Sequence, residues 1–433
     1  MKSYLNCHIL FKDGNMMLTS LPERRKMIMD TVMRSIDELS PKSIMEGKTQ
    51  DVSRFIAASR YSIFAVGKAS VEMCKGLKRQ IIGGAAKAIC LSPLGYEDPE
   101  GFASFHGNHP YPGKESFSSS KVILNELLAD NSQNLLFLLS GGASSLFEVP
   151  VEDITDQQYL ELMKKLITAD YPIDVINEVR CQLSRVKCGK MLRLTRYEKV
   201  KIMAISDVPG DDISIIGSNP FYPPARDVKI PDEIEKVVEA IRHSEDGDVR
   251  NIETLPDYSI ILSGHIYSSK MLEEISTDSP KVNFGEVISG NVKDLAPYLM
   301  RLIRTRYSEL KRPFWFTGHG ESTANVTGDG RGGRNTYLSS LILKEAEEDE
   351  VFSFLSFATD GSDGNSGLAG FLVDEQIRDI LDASTINEFI RNSNTGELAV
   401  KCGTGVRTGP TGNNVSDVIL GYYGGRTDED SLQ

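Results

Sequence analysis

Short apolar runs recur along the chain, and each of them ends in glycine, serine or aspartate. Apolar residues follow one another in these runs without alternation, which is typical of strands buried on both faces, as in parallel sheets. A helical pattern often follows a run, so we expect strand–helix–strand units with right-handed crossovers. The runs, in chain order, are YSIFAVGKAS, AKAICLS, NLLFLLSGGASS, VKIMAISDVPGDD, YSIILSGH, RPFWFTGHGE and FSFLSFATDGSDG.

The length of 433 residues is too great for one ordinary hydrophobic core, so we expect two domains. The stretch from Pro223 to Pro256 is charged and poor in aromatic residues, and we place the boundary there. The N-terminal domain then covers residues 1–245 and the C-terminal domain residues 256–433, and we expect the last ~25 residues to pack back on the first domain. The predicted fold class is α/β, with each domain built on a mostly parallel sheet flanked by helices.

Composition and charge exclude some classes of protein. The chain is 40% hydrophobic and 25% charged, as in a soluble globular protein. The net charge of -13 argues against a nucleic-acid-binding protein, which needs a basic face. There is no signal-peptide pattern and no run of about 18 apolar residues, so we expect a cytoplasmic protein without a membrane partner. Six cysteines without a CxxC pair predict free, reduced thiols, and the lack of an HExxH motif argues against a histidine-built metal site.

A glycine-rich loop, TGDGRGGRN, runs from Thr327 to Asn335. Its glycines at 328, 330 and 333 satisfy G-x-G-x-x-G, but a dinucleotide fingerprint also needs a long buried strand directly before it, and ESTANVT is short and polar. A wide turn with solvated arginines is the alternative. Because an apolar helix follows, the amides of Gly330, Gly332 and Gly333 together with Arg334 are candidates to bind a phosphate or carboxylate.

Two further strand-end loops are rich in candidate anion ligands. Lys68 follows a buried strand and begins a helix, where its charge is unfavourable unless an anion shares the site. The turn SGGASS offers the amides and hydroxyls of Ser140, Gly141, Gly142 and Ser144 as a second cradle. The alternatives are a lysine that reaches solvent and a tight turn with serine caps.

The segment INEVRCQLSRVKCGK predicts an amphipathic helix. Its polar face carries Asn177, Arg180 and Lys187, and basic residues accumulate from Arg180 to Lys201 in an otherwise acidic chain. A basic face of this kind is either simply solvated or attracts an anionic substrate.

Carboxylates follow several of the apolar runs. Asp207 ends one run, Asp360 and Asp363 end another, and Glu321 lies in TGHGEST. Aspartates often cap turns, but beside phosphate loops they can also hold Mg²⁺ or accept a proton from a substrate hydroxyl. No Walker-type phosphate loop is present. Taken together, the polar strand-end loops favour a phosphoryl-handling enzyme over a pure binding module.

Six motifs resemble those of glycerate 2-kinases, whose C-terminal half is called the MOFRL domain. They cover most of the chain, from about Arg24 to Gly424, in the family's order: LLSGGASSL, INEVRCQLSRVKCGK, ISDVPGDDISIIGSNP, GHGESTANVTGDGRGGRN, ATDGSDGNSGLAG and GPTGNNVSD. The resemblance implies a Rossmann-like N-terminal domain, a C-terminal MOFRL domain and an active site in the cleft between them. It also implies ATP-dependent phosphorylation of (R)-glycerate at the 2-hydroxyl, giving 2-phosphoglycerate and ADP.

The same resemblance implies roles for individual residues. Lys68, Asp207 and Arg334 match the family's catalytic positions, and Asp207 and Asp360 are the candidates to hold Mg²⁺ or another divalent cation. Asp207 is the candidate base for the 2-hydroxyl. The residues expected to bind substrate or nucleotide are Ser140, Gly141, Gly142, Ser144, Asn177, Arg180, Lys187, Glu321, Gly330, Gly332, Gly333, Asp360 and Asn414.

Two other functions stay open from the sequence. An NAD(P)H-dependent hydroxypyruvate reductase would act on the same carbon skeleton, and the G-x-G-x-x-G pattern keeps it in view. A non-catalytic nucleotide or metabolite sensor would bind ATP without turnover. The expected partners are the small molecules glycerate and ATP, and a homodimer is left open.

Overall fold

The structure is a computed structural model that describes residues 18–169, 171–224, 228–241 and 254–426. These residues form two compact units. The parallel-sheet unit consists of Ser35–Tyr267 together with Pro410–Ser416. The mixed-sheet unit consists of Ser268–Gly409, with the described residues up to Arg34 and from Asp417 onwards. The boundary expected between residues 245 and 256 falls largely on residues outside the described ranges, so the predicted domain limits stay a prediction.

The parallel-sheet unit contains one six-stranded sheet in which every pairing is parallel. Its strands are β1 (Tyr61–Val66), β2 (Ala88–Pro93), β3 (Ala103–Gly107), β4 (Asn134–Leu139), β5 (Lys199–Ile205) and β6 (Asp257–Leu262). The order across the sheet is β3-β2-β1-β4-β5-β6, so the winding direction reverses between β1 and β4. Both of these central strands are buried along their whole length, as their unbroken apolar sequences predict. The prediction of a parallel sheet is confirmed for this unit.

The mixed-sheet unit also contains six strands, but only one of its pairings is parallel. Its strands are β7 (Lys281–Asn291), β8 (Phe314–Thr323), β9 (Glu350–Ala358), β10 (Gly370–Asp374), β11 (Gly405–Val406) and β12 (Asp417–Arg426). The order is β11-β10-β9-β12-β8-β7, with β7 and β8 parallel and every other pair antiparallel. The prediction of a mostly parallel sheet is wrong for this unit. An unbroken apolar run indicates that a strand is buried on both faces, and β8 and β9 of this sheet are buried in that way. The run does not indicate whether neighbouring strands are parallel or antiparallel.

Helices connect and cover the strands, and none in the described part of the chain is long and apolar enough to span a bilayer. The first eleven are α1 (Leu21–Glu38), α2 (Pro41–Gly47), α3 (Thr49–Ile56), α4 (Ser70–Lys75), α5 (Arg79–Gly84), α6 (Lys114–Leu128), α7 (Ala143–Leu146), α8 (Asp156–Thr168), α9 (Ile173–Leu183), α10 (Lys190–Leu194) and α11 (Asp232–Ile241). The remaining six are α12 (Gly264–Glu274), α13 (Val292–Leu310), α14 (Arg334–Glu345), α15 (Glu375–Ile380), α16 (Ala383–Arg391) and α17 (Thr395–Cys402).

Each unit has its own hydrophobic core. In the parallel-sheet unit, side chains of β1, β4 and β5 such as Phe64, Phe137 and Ile202 form the centre, and α8, α9 and α11 share a satellite cluster around Tyr159. In the mixed-sheet unit, α13 and the almost fully buried α14 pack on the sheet around Phe316. Burial of this kind supplies most of the favourable free energy of folding.

Candidate functional site

The reversal of strand order in the parallel sheet creates the usual ligand-binding position of such folds. Two strands that wind in opposite directions leave a crevice beyond their carboxyl ends. Lys68 follows β1, and the turn from Ser140 to Ser144 follows β4, so these predicted site residues lie on either side of that reversal.

The two turns are joined by hydrogen bonds. The Lys68 amide donates to the Gly141 carbonyl at 2.9 Å, and the Ala69 amide donates to the Ser140 hydroxyl at 3.0 Å. Ser140 is buried, and a methyl group on Gly67 would lie 2.2 Å from its Oγ. The Ser140 hydroxyl thus helps to fix the turn that carries Lys68, and its expected role as a ligand stays a prediction.

Lys68 is half-buried, and its ammonium group makes neither a hydrogen bond nor an ion pair with any residue that the structure describes. Removing a cation from water without a partner is costly. A bound anion would provide the missing partner. Of the two readings open from the sequence, this environment favours the anion site over a lysine that simply reaches solvent.

Two consecutive glycines, Gly141 and Gly142, leave room for other side chains close to Lys68. A methyl group on Gly141 would lie 1.9 Å from Oδ2 of Asp207, and one on Gly142 would lie 3.1 Å from Cγ of Lys68. Asp207 follows β5 and is half-buried, and its Oδ2 accepts a hydrogen bond from the Asn414 amide at 3.2 Å. The structure therefore brings together Lys68, the glycine pair, Asp207 and Asn414, and their roles at a ligand site stay a prediction.

One residue at this place was missed by the sequence analysis. His109 follows β3, and its Nε2 would lie 3.0 Å from a methyl group on Gly142. The sequence pattern gave no strand there because ASFHG is short and partly polar. Had β3 been predicted, the polar residues that follow it, Asn108 and His109, would have been candidates on the same grounds as Lys68.

Lys187, a predicted ligand-binding residue, is buried and its contacts in this structure are internal, which favours a structural role. Its side chain is fully buried, and its Nζ donates to the carbonyl oxygens of Ser144 at 2.6 Å and Phe147 at 3.1 Å. Nζ also lies 3.4 Å from the carboxylate of Glu148. Burial lowers the pKa of Lys187, and the nearby Glu148 opposes that effect. Lys187 thus holds the backbone of α7 in place.

The same buried network includes two hydroxyl groups. Tyr159 and Ser184 each donate to the Glu148 carboxylate at 2.5 Å. Ser144, by contrast, is half-buried, and its hydroxyl lies 3.1 Å from that of Ser218.

Asn177 and Arg180 remain candidates on the exposed side of α9. Both are half-buried, and Arg180 donates to Oδ1 of Asn177 at 3.1 Å. Within the described ranges the Arg180 guanidinium forms no ion pair with a carboxylate. Nearby, Cys181 and Cys188 form a disulfide, with their Cα atoms 5.6 Å apart.

The disulfide corrects the expectation of reduced thiols for these two cysteines. That expectation came from the inferred compartment and the absence of CxxC, neither of which reports the distance between Cys181 and Cys188 in the fold. Cys74, Cys90 and Cys402 are free, and Cys7 lies outside the described residues.

The glycine-rich loop of the mixed-sheet unit is packed against its own chain. A methyl group on Gly328 or Gly330 would lie 2.8 Å or 2.4 Å from the carbonyl oxygen of Asn392, and one on Gly332 would lie 2.6 Å from Oγ1 of Thr395. The Gly330 amide donates to the Asn392 carbonyl at 3.0 Å. Close backbone packing therefore explains these glycines without a ligand.

Several other amides of the loop and of α14 also have internal acceptors. The Gly332 amide donates to Asn365 at 2.8 Å, and the Gly333 amide donates to Thr336 at 3.0 Å. At the start of α14, the amides of Asn335 and Thr336 donate to the carboxylate of Asp363 at 2.9 and 2.8 Å. The expected anion cradle thus already contains an anion, the buried side chain of Asp363, and an amide-bound phosphate would have to displace it.

Arg334 is held by two carboxylates. Its Nε lies 2.5 Å from Oδ2 of Asp417, its second nitrogen donates to Oδ1 of Asp417 at 3.1 Å, and Glu321 contacts it from the other side. Asp417 is buried at the start of β12, and burial raises its pKa to about 7, with Arg334 opposing the shift. The sequence analysis assigned no role to Asp417, whose position is set by a strand that the apolar pattern did not identify.

Asp360 caps its own turn, because its Oδ1 accepts a hydrogen bond from the Ser362 amide at 2.9 Å. In the described part of the chain, no group of three or more His, Cys, Asp or Glu side chains could hold a metal ion. Mg²⁺ that arrives with a nucleotide needs only one or two protein carboxylates. The half-buried Asp207 and Asp360 can each supply one, so a role for either is compatible with this donor set.

The chain is similar to known proteins along most of its length. Residues 27–251 match the family described as a domain of unknown function, DUF4147, and residues 315–417 match the MOFRL family. A glycerate 2-kinase from Picrophilus torridus is 32% identical over 416 residues, which cover 93% of this chain and 97% of that protein. This chain belongs to the glycerate kinase family.

A solved structure agrees with that assignment to the glycerate kinase family. The crystal structure of a glycerate kinase from Thermotoga maritima matches 92% of this chain and 99% of that one, with a TM-score of 0.79 and 25% identity. A putative hydroxypyruvate reductase from Agrobacterium vitis is 27% identical over 383 residues, covering 83% of this chain and 98% of that protein.

Proposed function

We propose that this glycerate kinase family enzyme transfers the γ-phosphoryl group of ATP to the 2-hydroxyl of (R)-glycerate, giving 2-phosphoglycerate and ADP. The observation that carries the proposal is the half-buried Lys68, which lacks an anionic partner among the described residues and lies where the sheet winding reverses. The similarity to a glycerate 2-kinase along nearly the whole chain supports both the substrate and the position that is phosphorylated.

In the proposed reaction, a bond forms between O2 of glycerate and the γ-phosphorus, and the bond from that phosphorus to the β,γ-bridging oxygen breaks. Asp207 accepts the proton of the 2-hydroxyl, and the Asn414 amide orients the Asp207 carboxylate. Lys68 neutralises negative charge on the transferring phosphoryl group. Phosphoryl transfer needs mainly positioning and charge neutralisation, and these residue types supply both.

The other predicted residues have supporting roles in the proposal. Arg334, oriented by Asp417 and Glu321, binds either the glycerate carboxylate or a phosphate through whichever donors those carboxylates leave available. Asp360, or Asp207 before it takes the proton, would hold the Mg²⁺ of the nucleotide, which supplies charge neutralisation between the phosphates. Asn177 and Arg180 are proposed to contact the nucleotide or the substrate from α9.

Phosphorus NMR tests the reaction and its regiochemistry together. Purified enzyme is mixed with (R)-glycerate, ATP and Mg²⁺, and we expect the phosphomonoester resonance of 2-phosphoglycerate to appear with that of ADP. Direct conversion of the product by enolase, without a mutase, checks the position independently because enolase acts on 2-phosphoglycerate. The resonance of 3-phosphoglycerate, or ADP formation that does not depend on glycerate, would refute the proposal.

Reduction of hydroxypyruvate is the second candidate, because one relative carries that name. Against it, the glycines that suggested a dinucleotide loop are explained by the packing of Gly330 and its neighbours on Asn392. Loss of NADH or NADPH absorbance on mixing with hydroxypyruvate would support the reductase. Binding of ATP without turnover of either substrate would instead favour the sensor.

A further inference from the structure

His109 lies in the group of residues around Lys68, and none of the roles assigned above uses it. It follows β3 as Lys68 follows β1, so both side chains come from the carboxyl edge of the same sheet. A methyl group on Gly142 would lie 3.0 Å from Nε2 of His109 and 3.1 Å from Cγ of Lys68. The imidazole and the lysine stem therefore meet at one glycine, and a side chain at position 142 would separate them.

No hydrogen bond within the described part of the protein explains the position of the His109 ring. Neither of its nitrogens forms a hydrogen bond with any residue in the described ranges. His106, three residues earlier and within β3, makes an informative comparison. Its Nδ1 lies 3.1 Å from the Ser92 hydroxyl and its Nε2 lies 3.0 Å from the Asp98 carboxylate. Internal bonds thus account for His106 and not for His109.

The surroundings of His109 keep its imidazole neutral near pH 7. Desolvation by the protein lowers its pKa, and the positive charge of Lys68 lowers the pKa further. Lys68 is the charged group that shifts this pKa. A neutral imidazole has one N–H donor and one acceptor nitrogen, which suits a hydroxyl group better than an anion.

The order of the contacts along the turn at Gly141 and Gly142 suggests which hydroxyl of a substrate His109 would contact. Asp207 lies against Gly141, whereas His109 lies against Gly142, and consecutive Cα atoms are about 3.8 Å apart. A small substrate with two neighbouring hydroxyls could place the reacting one at Asp207 and the next one at His109. The phosphoryl group that is transferred to the reacting hydroxyl would then lie beside Lys68, as in the proposed reaction.

We propose that His109 is a substrate-contact residue that hydrogen-bonds through Nε2 with the hydroxyl that is not phosphorylated. It would make the site specific for small hydroxy acids that carry a second, adjacent hydroxyl. This inference rests on the proposed function, in which that group is the 3-hydroxyl of glycerate. (R)-Lactate has the same carboxylate and 2-hydroxyl but lacks the 3-hydroxyl, so it is the matched ligand for a test.

Histidine NMR tests the contact without relying on turnover. In protein labelled with ¹⁵N-histidine, the His109 signals are assigned by their loss in His109→Gln. We expect (R)-glycerate to shift them, (R)-lactate to shift them clearly less, and Lys68→Met to raise the pKa of His109 by removing the cation. No response to glycerate, or equal responses to the two acids, would overturn the proposal even if the enzyme phosphorylates glycerate.

Kinetics provide the second test. Loss of a hydrogen bond to a substrate that leaves a polar group unpaired costs roughly five- to a hundredfold in kcat/KM. We expect His109→Ala to lower kcat/KM for glycerate by at least about tenfold, while His109→Gln, whose amide can replace Nε2, recovers most of it. His106→Gln serves as the control and should stay near the wild-type value.

Two results separate the inference from the proposed function. If the wild-type enzyme does not phosphorylate glycerate, the proposed function fails, and the NMR response alone decides whether His109 contacts the acid. If the enzyme is active and His109→Ala matches the wild type, the proposal for His109 fails and the proposed function stands. Because Asp417 also titrates near pH 7, an acid limb in the pH profile is assigned to His109 only if His109→Gln removes it.

Discussion

Replacement of Lys187 by methionine tests the reassignment of this residue from ligand binding to structure. The substitution keeps the length of the side chain and removes its charge. In the native protein Nζ contacts the carbonyl oxygens of Ser144 and Phe147 and lies 3.4 Å from Glu148. All of these contacts disappear together, and Glu148 stays in place with its two hydroxyl donors.

The magnitude follows from burial. Lys187 and Glu148 expose no more than 1% of their side chains, so solvent cannot take over either charge. Removing one partner of a buried pair costs about 3–5 kcal/mol, because the remaining charge is left uncompensated. Methionine fills most of the vacated volume, so a large cavity term is not expected. We therefore expect Lys187→Met to lower the free energy of unfolding by about 3–5 kcal/mol.

Urea unfolding followed by far-ultraviolet circular dichroism measures this loss. Glu148→Gln supplies the companion variant, because glutamine carries no charge and can still hydrogen-bond both Tyr159 and Ser184, accepting from one hydroxyl through its oxygen and donating to the other through its NH₂ group. Added to Lys187→Met, it should recover a large part of the loss. The exposed Lys78, changed to methionine, is the control and should stay within about 0.5 kcal/mol of the wild type. A loss below about 1 kcal/mol for Lys187→Met, or no recovery in the double variant, would refute the reasoning.

Three further predictions concern other positions. Lys68→Met should lower kcat by about 10³-fold or more while its thermal unfolding stays close to wild type, and a kcat near the wild-type value would argue against the proposed role. Gly330→Ala places a methyl group 2.4 Å from the Asn392 carbonyl oxygen and should lower the free energy of unfolding by about 1–3 kcal/mol. Gly83→Ala, where the helix leaves open space for the methyl group, is the control and should leave the free energy of unfolding in the same denaturation assay unchanged or higher. Because the pKa of Asp417 is raised from 3.8 to about 7, its stabilising contribution is complete below pH 3.8 and is lost as the pH rises through 7. Unfolding free energies measured across this range should therefore fall less steeply with pH in Asp417→Asn, and an unchanged slope would contradict the assignment.

The sequence was most informative where burial alone decides the structure. Every apolar run that it identified is a strand, because a chain buried on both faces needs an unbroken apolar sequence. Strands with less apolar or more alternating sequences, such as β3 and β7, were not predicted, and neither was β12, although it is apolar and almost fully buried. The direction of pairing in the mixed sheet also could not be read, since it depends on which strands become neighbours after long connections.

At the candidate site, the sequence could single out residues that follow buried strands. Lys68 and Asp207 follow β1 and β5 and lie close to Gly141, and Asn414, from the loop before β12, contacts Asp207. Polar residues whose partners come from distant parts of the chain could not be sorted in the same way. Lys187 has the same residue type as Lys68, and only the fold shows that one ammonium is enclosed by carbonyl oxygens and the other is not.

The glycine-rich loop shows a different limit. Many glycines in a short segment indicate that something comes close to the backbone, but not what it is. Here the neighbour is the segment from Asn392 to Thr395, and an internal carboxylate, Asp363, occupies the start of α14. A loop of the same composition beside a nucleotide would look identical in sequence.

The short segment Pro410–Ser416 has a consequence for dissecting the protein. It belongs to the parallel-sheet unit although both of its flanking strands, β11 and β12, belong to the mixed sheet. By sequence it falls inside the MOFRL match, which spans residues 315–417, whereas the DUF4147 match ends at residue 251. A fragment cut after the first match would therefore lack Asn414, the amide that contacts Asp207, and also the neighbouring Asn413, which donates to the Leu39 carbonyl at 2.9 Å. Neither half of the gene, expressed alone, encodes the complete set of residues around Asp207.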